Sequence, residues 1–170
     1  MNEEKREKRR VFFDMDGVLA VFHKDATLEQ LYAPGYFRNL EPIHTVVEAV
    51  LHLAKDPDLE VCTLSAAFNK TCINDKDAWL DEIMGDQIPK ENRFFCIYGE
   101  NKGKTIHMRD TDVLIDDLSD NLRDFEKEGG KAIKLYTDIN GTKGTWTGYS
   151  VRAAMDPGRL SRQIKAIAMI

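Results

Sequence analysis

Cysteine is scarce in this chain, and the three that occur do not pair. Cys62, Cys72 and Cys96 form no CxxC or other close spacing. An odd number so widely spread reads as reduced thiols in a cytoplasmic protein, not as a disulfide or zinc framework. Cys62 and Cys96 lie in apolar runs, where a small core residue is the ordinary reading. Long apolar runs are missing too: nothing approaches the roughly 20 residues of a spanning helix, so a membrane partner is not expected. Positive charge is not in excess, the net charge being −5. The overall field therefore gives no reason to expect a nucleic-acid polymer or an anionic membrane as partner. A single phosphate on a small molecule needs only a local site and stays open. The four histidines, His23, His44, His52 and His107, show no HxxxH or comparable metal spacing and are read as surface or cap residues. No GxxxxGK[ST] occurs, which removes a P-loop kinase. There are no internal repeats and no low-complexity tracts. Asn69-Lys70-Thr71 and Asn140-Gly141-Thr142 match the glycosylation triplet, but a cytoplasmic chain would not be modified there.

What is present is an ordinary globular composition. The chain has 170 residues, 42% hydrophobic and 31% charged, enough for one domain that buries a core without a staple. Met1 to Arg10 is a mixed-charge run with three glutamates. It resembles neither a signal nor a transit peptide and is read as a solvated extension, residues 1–10, before a single core domain over 11–170. Val11-Phe12-Phe13 reads as a buried strand running into the turn Asp14-Met15-Asp16-Gly17. Residues 20–42 lack clear periodicity and hold the breakers Pro34, Gly35 and Pro42; they are expected to form a small inserted cap. A helix is expected from Pro42, its apolar face including Val46, Val47, Val50 and Leu51, ending at Asp56-Pro57. Further strands are expected at Leu59–Leu64, Phe94–Tyr98, Val113–Ile115 and Lys131–Tyr136. Helices are expected around Trp79 to Met84, from Ser119 (as cap) to Glu128, and after Pro157. For the Asn140–Gly148 loop with Trp146 two readings stand, a binding loop or a homo-oligomer contact. The alternation predicts an α/β fold: a Rossmann-like three-layer sandwich with a central parallel sheet of about five strands and the cap inserted after the first.

In such sheets the ligand crevice lies beyond the carboxyl ends of the strands. The polar residues expected there are Asp14, Asp16, Ser65, Lys102 or Lys104, Asp116 and Asp117. Two carboxylates two residues apart divide their work: Asp14 can attack phosphorus as a covalent nucleophile while Asp16 handles protons. Gly17 permits the tight turn. Asp116 and Asp117 add negative charge that fits beside a phosphate only with a cation present, and Mg²⁺ favours such oxygen ligands. The Ser65 hydroxyl with nearby backbone amides, that of Ala66 first, could bind a phosphoryl oxygen, and a lysine could offset charge on the transferring group. Each residue also has a plain reading as turn former, cap or solvated charge. An EF-hand fails on spacing, since it would place Phe12 and His23 at acidic ligand positions. It is the recurrence of such residues at four strand ends that points to chemistry.

The four segments resemble the motifs of the haloacid dehalogenase-like superfamily of phosphatases. They are Phe12-Phe13-Asp14-Met15-Asp16-Gly17-Val18-Leu19, Thr63-Leu64-Ser65, a lysine, and Leu114-Ile115-Asp116-Asp117. The run Asp14 to Phe22, with Gly35-Tyr36-Phe37-Arg38-Asn39-Leu40-Glu41-Pro42, is similar to the 5′(3′)-deoxyribonucleotidase group. That resemblance implies hydrolysis of a small phosphomonoester, a nucleoside monophosphate foremost, with sugar phosphates or a purely ligand-binding role as alternatives. It implies Asp14 as nucleophile, Asp16 as acid and base, and Mg²⁺ on Asp14, the Asp16 carbonyl, Asp117 and the adjacent Asp116. Phe22 matches the phenylalanine that helps form the group's base pocket. The cap region is shorter than in the group's animal members, and Lys102 is favoured over Lys104 as the motif lysine.

Overall fold

Val11, Phe12 and Phe13 carry no polar side-chain atom, and the computed structural model buries all three at the centre of the sheet. The structure describes residues 6–139 and 145–170. Strand β1 spans Arg9–Phe13, β2 Leu59–Ala67, β3 Arg93–Ile97, β4 Val113–Asp116, β5 Lys131–Tyr136 and β6 Tyr149–Arg152. All pair in parallel, in the order β3-β2-β1-β4-β5-β6. The sheet thus has one strand more than expected. The mixed-charge run also enters it, because Arg9 and Arg10 belong to β1.

Strand alternation divides the core in two. Val11, Phe13, Val61, Val113, Ile115, Ile133 and Leu135 face one layer, with Val46 and Val50 of helix α2 (His44–Ala54), Trp79 and Leu80 of α3 (Lys70–Ile83), and Leu160 and Ile164 of α5 (Pro157–Ala168). Phe12, Cys62, Leu64, Leu114 and Ala132 face the other, against Leu122 and Phe125 of α4 (Ser119–Lys127). This is the expected three-layer α/β architecture. The cysteines are free and buried, and burial pushes the Cys62 thiol up to about 12. No helix among the described residues is long and apolar enough to cross a membrane.

Residues 20–42 hold the short helix α1 (Leu28–Tyr32), closed by a Thr27–Gln30 capping box, and a 3₁₀ turn at Phe37–Asn39. They are anchored by Trp79, whose Nε1 donates to the Leu40 carbonyl at 2.8 Å, and by Asp75, which accepts from the Gly35 amide at 2.8 Å. Strands β1 and β4 are neighbours, yet the chain leaves them for helices on opposite faces. The crevice between their carboxyl ends is where such a fold receives ligands.

Candidate active site

The β1 turn is built so that two carboxylates flank one core residue. Met15 is buried in the core, which turns Asp14 and Asp16 toward the crevice. The Met15 carbonyl accepts from the amides of Leu19 and Ala20, both at 2.9 Å, and the Asp14 amide donates to Ile115 of β4 at 3.0 Å. Gly17 has φ +82°, and a Cβ there would meet Asp117 Oδ2 at 2.5 Å. Only glycine therefore lets the turn close against the end of β4.

Asp116 is fully buried and saturated with donors. Its Oδ1 accepts from the Leu118 amide at 2.8 Å, and its Oδ2 from Lys102 Nζ at 2.7 Å and Asn121 Nδ2 at 3.0 Å. Lys102, also buried, sits 2.8 Å from Asp14 Oδ1. Burial works against the Lys102 ammonium, but Asp116 and Asp14 outweigh it and raise its pKa. Burial and the charge of Asp116, with smaller contributions from Asp16 and Asp117, push the Asp14 carboxyl up to about 8 against the pull of Lys102. The Lys102 ammonium alone does not balance Asp14, Asp116 and Asp117.

Ligand oxygens of Asp14, Asp116 and Asp117 lie within 4.8 Å of one another. An all-oxygen set of that spacing, carrying surplus negative charge, fits a hard divalent cation such as Mg²⁺. Lys102, Asn121 and Leu118 already occupy Asp116, whereas Asp117 lines the cavity beside Asp14.

Asp14, Asp16, Lys102, Asp117 and Asn121 line a cavity of about 250 Å³, with Phe22, Phe68, Tyr98 and Leu118 as its apolar wall. Phe68 and Tyr98 pack ring to ring at 4.8 Å. A larger groove of about 790 Å³ adjoins it and shares Phe68. Lys104 lines that groove, exposed, and is not brought to the carboxylates; Lys102 is. Ala66 lines the smaller cavity, whereas Ser65 is wholly buried beneath it. All four histidines are exposed, and none lines the smaller cavity.

Two expectations need correction. Ser119 does not cap α4: it is the helix's first residue, the cap position is Leu118, and the Ser119 hydroxyl accepts from Lys134 Nζ at 2.7 Å. Ser65 is not at a strand exit but inside β2, which runs on to Ala67. Asn140, Gly141 and Thr142 lie outside the described residues.

Sequence reasoning missed Asn121 and Lys76. Lys76 of α3 is buried and donates to Asp16 Oδ2 at 2.7 Å, Ser65 Oγ at 2.8 Å and the Ala66 carbonyl at 2.6 Å. Its only sequence signal is a lysine breaking the apolar face of a helix beside Trp79.

Residues 23–141, well over half the chain, match the family described as 5′ nucleotidase, deoxy (Pyrimidine), cytosolic type C. The match begins just after the first motif and takes in Ser65, Lys76, Lys102, Asp116 and Asp117. Among solved structures, the chain is similar to a Mesorhizobium loti protein described as a HAD-like phosphatase. The TM-score is 0.59 at 12% identity, covering 94% of this chain and 87% of that one, a likeness of fold. An uncharacterized protein from Corynebacterium glutamicum aligns with a TM-score of 0.47 at 16% identity, over 96% and 97% of the two chains.

Proposed function

Since the chain belongs to the 5′ nucleotidase, deoxy (Pyrimidine), cytosolic type C family, we propose that it is a magnesium-dependent hydrolase of nucleoside monophosphates, deoxyribonucleotides foremost, working in the cytoplasm through an aspartyl-phosphate. Family membership makes it a phosphatase. The observation that carries the finer reading is the triad of carboxylates within 4.8 Å, two of which, Asp14 and Asp117, line the cavity, with the Lys102 ammonium 2.8 Å from Asp14.

In this reading an Asp14 oxygen attacks phosphorus and the ester P–O bond breaks. Its electron pair leaves on the substrate oxygen, which takes the proton of the Asp16 carboxylic acid. Water then attacks the aspartyl-phosphate and gives its proton to the Asp16 carboxylate. The pair of the breaking bond returns to Asp14, and phosphate leaves. Lys102 holds Asp14 in place and offsets charge on the transferring group. Asp116 orients Lys102. Asp14, Asp117, Asp116 and the Asp16 carbonyl would hold Mg²⁺, which when bound neutralises charge so that an anion can approach an anion. The backbone near Ala66 receives phosphoryl oxygens, with Ser65 supporting it from below.

Residues 20–42 act as a small cap beside the mouth, contributing Phe22 and Lys24 to the cavity lining. The aromatic wall of Phe22, Phe68 and Tyr98 supports a nucleoside over a sugar phosphate, because a base gains from stacking and a sugar does not.

The test is phosphate release from deoxy- and ribonucleoside monophosphates and sugar phosphates, each with Mg²⁺, with EDTA, and with Asp14→Asn. The expected outcome is metal-dependent release from nucleotides that the variant loses. Equal turnover of sugar phosphates and nucleotides would overturn the substrate assignment.

A further inference from the structure

The site's fourth carboxylate stands apart from the other three. Asp14, Asp116 and Asp117 cluster, whereas Asp16 turns its Oδ2 to Lys76 at 2.7 Å. Lys76 approaches from α3, 60 residues away in the chain. Its ammonium is among the most enclosed groups of the molecule, with a side chain 1% exposed. Three oxygens surround it, from Asp16, Ser65 and Ala66, and it lies 4.7 Å over the ring of buried Phe37. The helix that carries it is fixed at several points. Asn69 caps its start by accepting from the Cys72 amide at 2.9 Å, and Trp79 is buried three residues on.

We infer that Lys76 is a positioning residue for proton transfer: it holds the Asp16 carboxyl at the leaving-group side of the cavity and keeps it out of the carboxylate cluster. The inference rests on the acid–base role of Asp16 proposed above. An aspartate beside a cation-binding cluster has an alternative use as one more ligand, in which it could not serve the leaving oxygen. A buried lysine with all three protons directed at Asp16, Ser65 and Ala66 fixes the rotamer that avoids this. It also joins the acid to Ser65 and Ala66 of β2, so both keep one geometry. Transfer to the leaving oxygen requires the acid within hydrogen-bond reach, and a misplacement of about 1 Å can cost about a hundredfold in rate.

The experiment compares leaving groups in a single turnover. A nitrophenolate leaves without a proton, whereas a nucleoside alkoxide needs one. Enzyme in excess with Mg²⁺ is mixed with p-nitrophenyl phosphate or a deoxynucleoside 5′-monophosphate, using wild type, Asp16→Asn, Lys76→Met and Lys76→Arg. The expected result is that Lys76→Met slows nucleoside release by about a hundredfold while leaving nitrophenolate release within about threefold. Asp16→Asn should behave in the same sense, and Lys76→Arg, which keeps a cationic donor, should recover much of the loss. Equal loss on both substrates means that Lys76 acts through the fold or through Ser65, and overturns the inference; so does no loss on either.

Retained nitrophenolate release also shows that Lys76→Met folds. If Asp16→Asn is selective and Lys76→Met is not, this inference alone fails. If Asp16→Asn itself shows no selectivity, the acid–base role beneath it fails as well. If wild type releases no nucleoside, the nucleotide assignment fails, and the same comparison is made with glycerol phosphate as the alkyl ester.

Discussion

At the residue scale, Asp14 ties stability and reactivity together with opposite signs. Its carboxyl titrates near 3.8 in an unfolded chain and near 8 in the fold, raised by burial and by Asp116. Between these values the folded protein keeps a proton that the unfolded chain has lost. Rising pH therefore favours unfolding, by up to about 1.4 kcal/mol per pH unit from this group. An asparagine at this position never ionises and escapes the cost. The expected outcome in EDTA is that Asp14→Asn is the more stable protein, with an advantage that grows from pH 5 to pH 8, while its phosphatase activity is lost. Urea midpoints at several pH values check this. A gap that narrows as pH rises would mean that the ion pair with Lys102 dominates instead. The carboxylate cluster is thus costly to hold together with no cation bound, as strained functional sites commonly are.

At the element scale, the residues that each strand carries at its two ends explain how much of the fold was legible in the chain. Apolar runs ending in Asp14 and Asp116 announced β1 and β4, because the sheet interior demands such runs and the crevice demands polar groups at their ends. β6 was not visible: of Tyr149–Arg152 only Val151 is buried, so this edge strand carries no apolar pattern and is held by its ladder to β5. The motif favours Lys102 without excluding Lys104, and a 3₁₀ turn over Lys102–Lys104 buries the first and leaves the second exposed. Lys76 and Asn121 were illegible because helices that sequence reads as covering layers deliver them to the site from outside the motifs. The opposite ends of β1 and β4 carry stability. Arg10 pairs with buried Asp112 through two bonds, at 2.9 and 2.6 Å, and Asp112 accepts from the Arg109 amide at 2.8 Å as well. Arg10→Met leaves that carboxylate buried with one partner fewer. Breaking such a pair costs about 3–5 kcal/mol, and the remaining amide bond places the expected loss near the lower end. Denaturant unfolding measures it. Activity at temperatures where the variant is folded should be unchanged, because Arg10 lies at the end of the sheet away from the crevice.

At the scale of the whole molecule, the sheet order makes one charge problem that a divalent cation would solve. Placing β1 beside β4 gathers Asp14, Asp16, Asp116 and Asp117 at one opening. The buried cations that meet them there are Lys102 and Lys76. When ionised, these four carboxylates against the two buried ammoniums leave a deficit that one divalent cation would balance. A cation that binds the fold and not the unfolded chain stabilises by mass action, about 2.7 kcal/mol when present at a hundred times its dissociation constant. For a domain of this size that corresponds to a rise in Tm of roughly 5–10 °C. The expected outcome is a rise of that order when Mg²⁺ is added to EDTA-treated protein, largely lost in Asp117→Asn, which keeps the Lys102–Asp116 pair but removes one carboxylate of the cluster that lines the cavity. The rise should also be larger at pH 8 than at pH 6, because the ion must displace the proton that Asp14 holds in its absence. Scanning calorimetry at the two pH values decides it. An equal rise in the variant would put the ion elsewhere on the acidic surface, and the proton on Asp14 would then offset only half of the charge deficit.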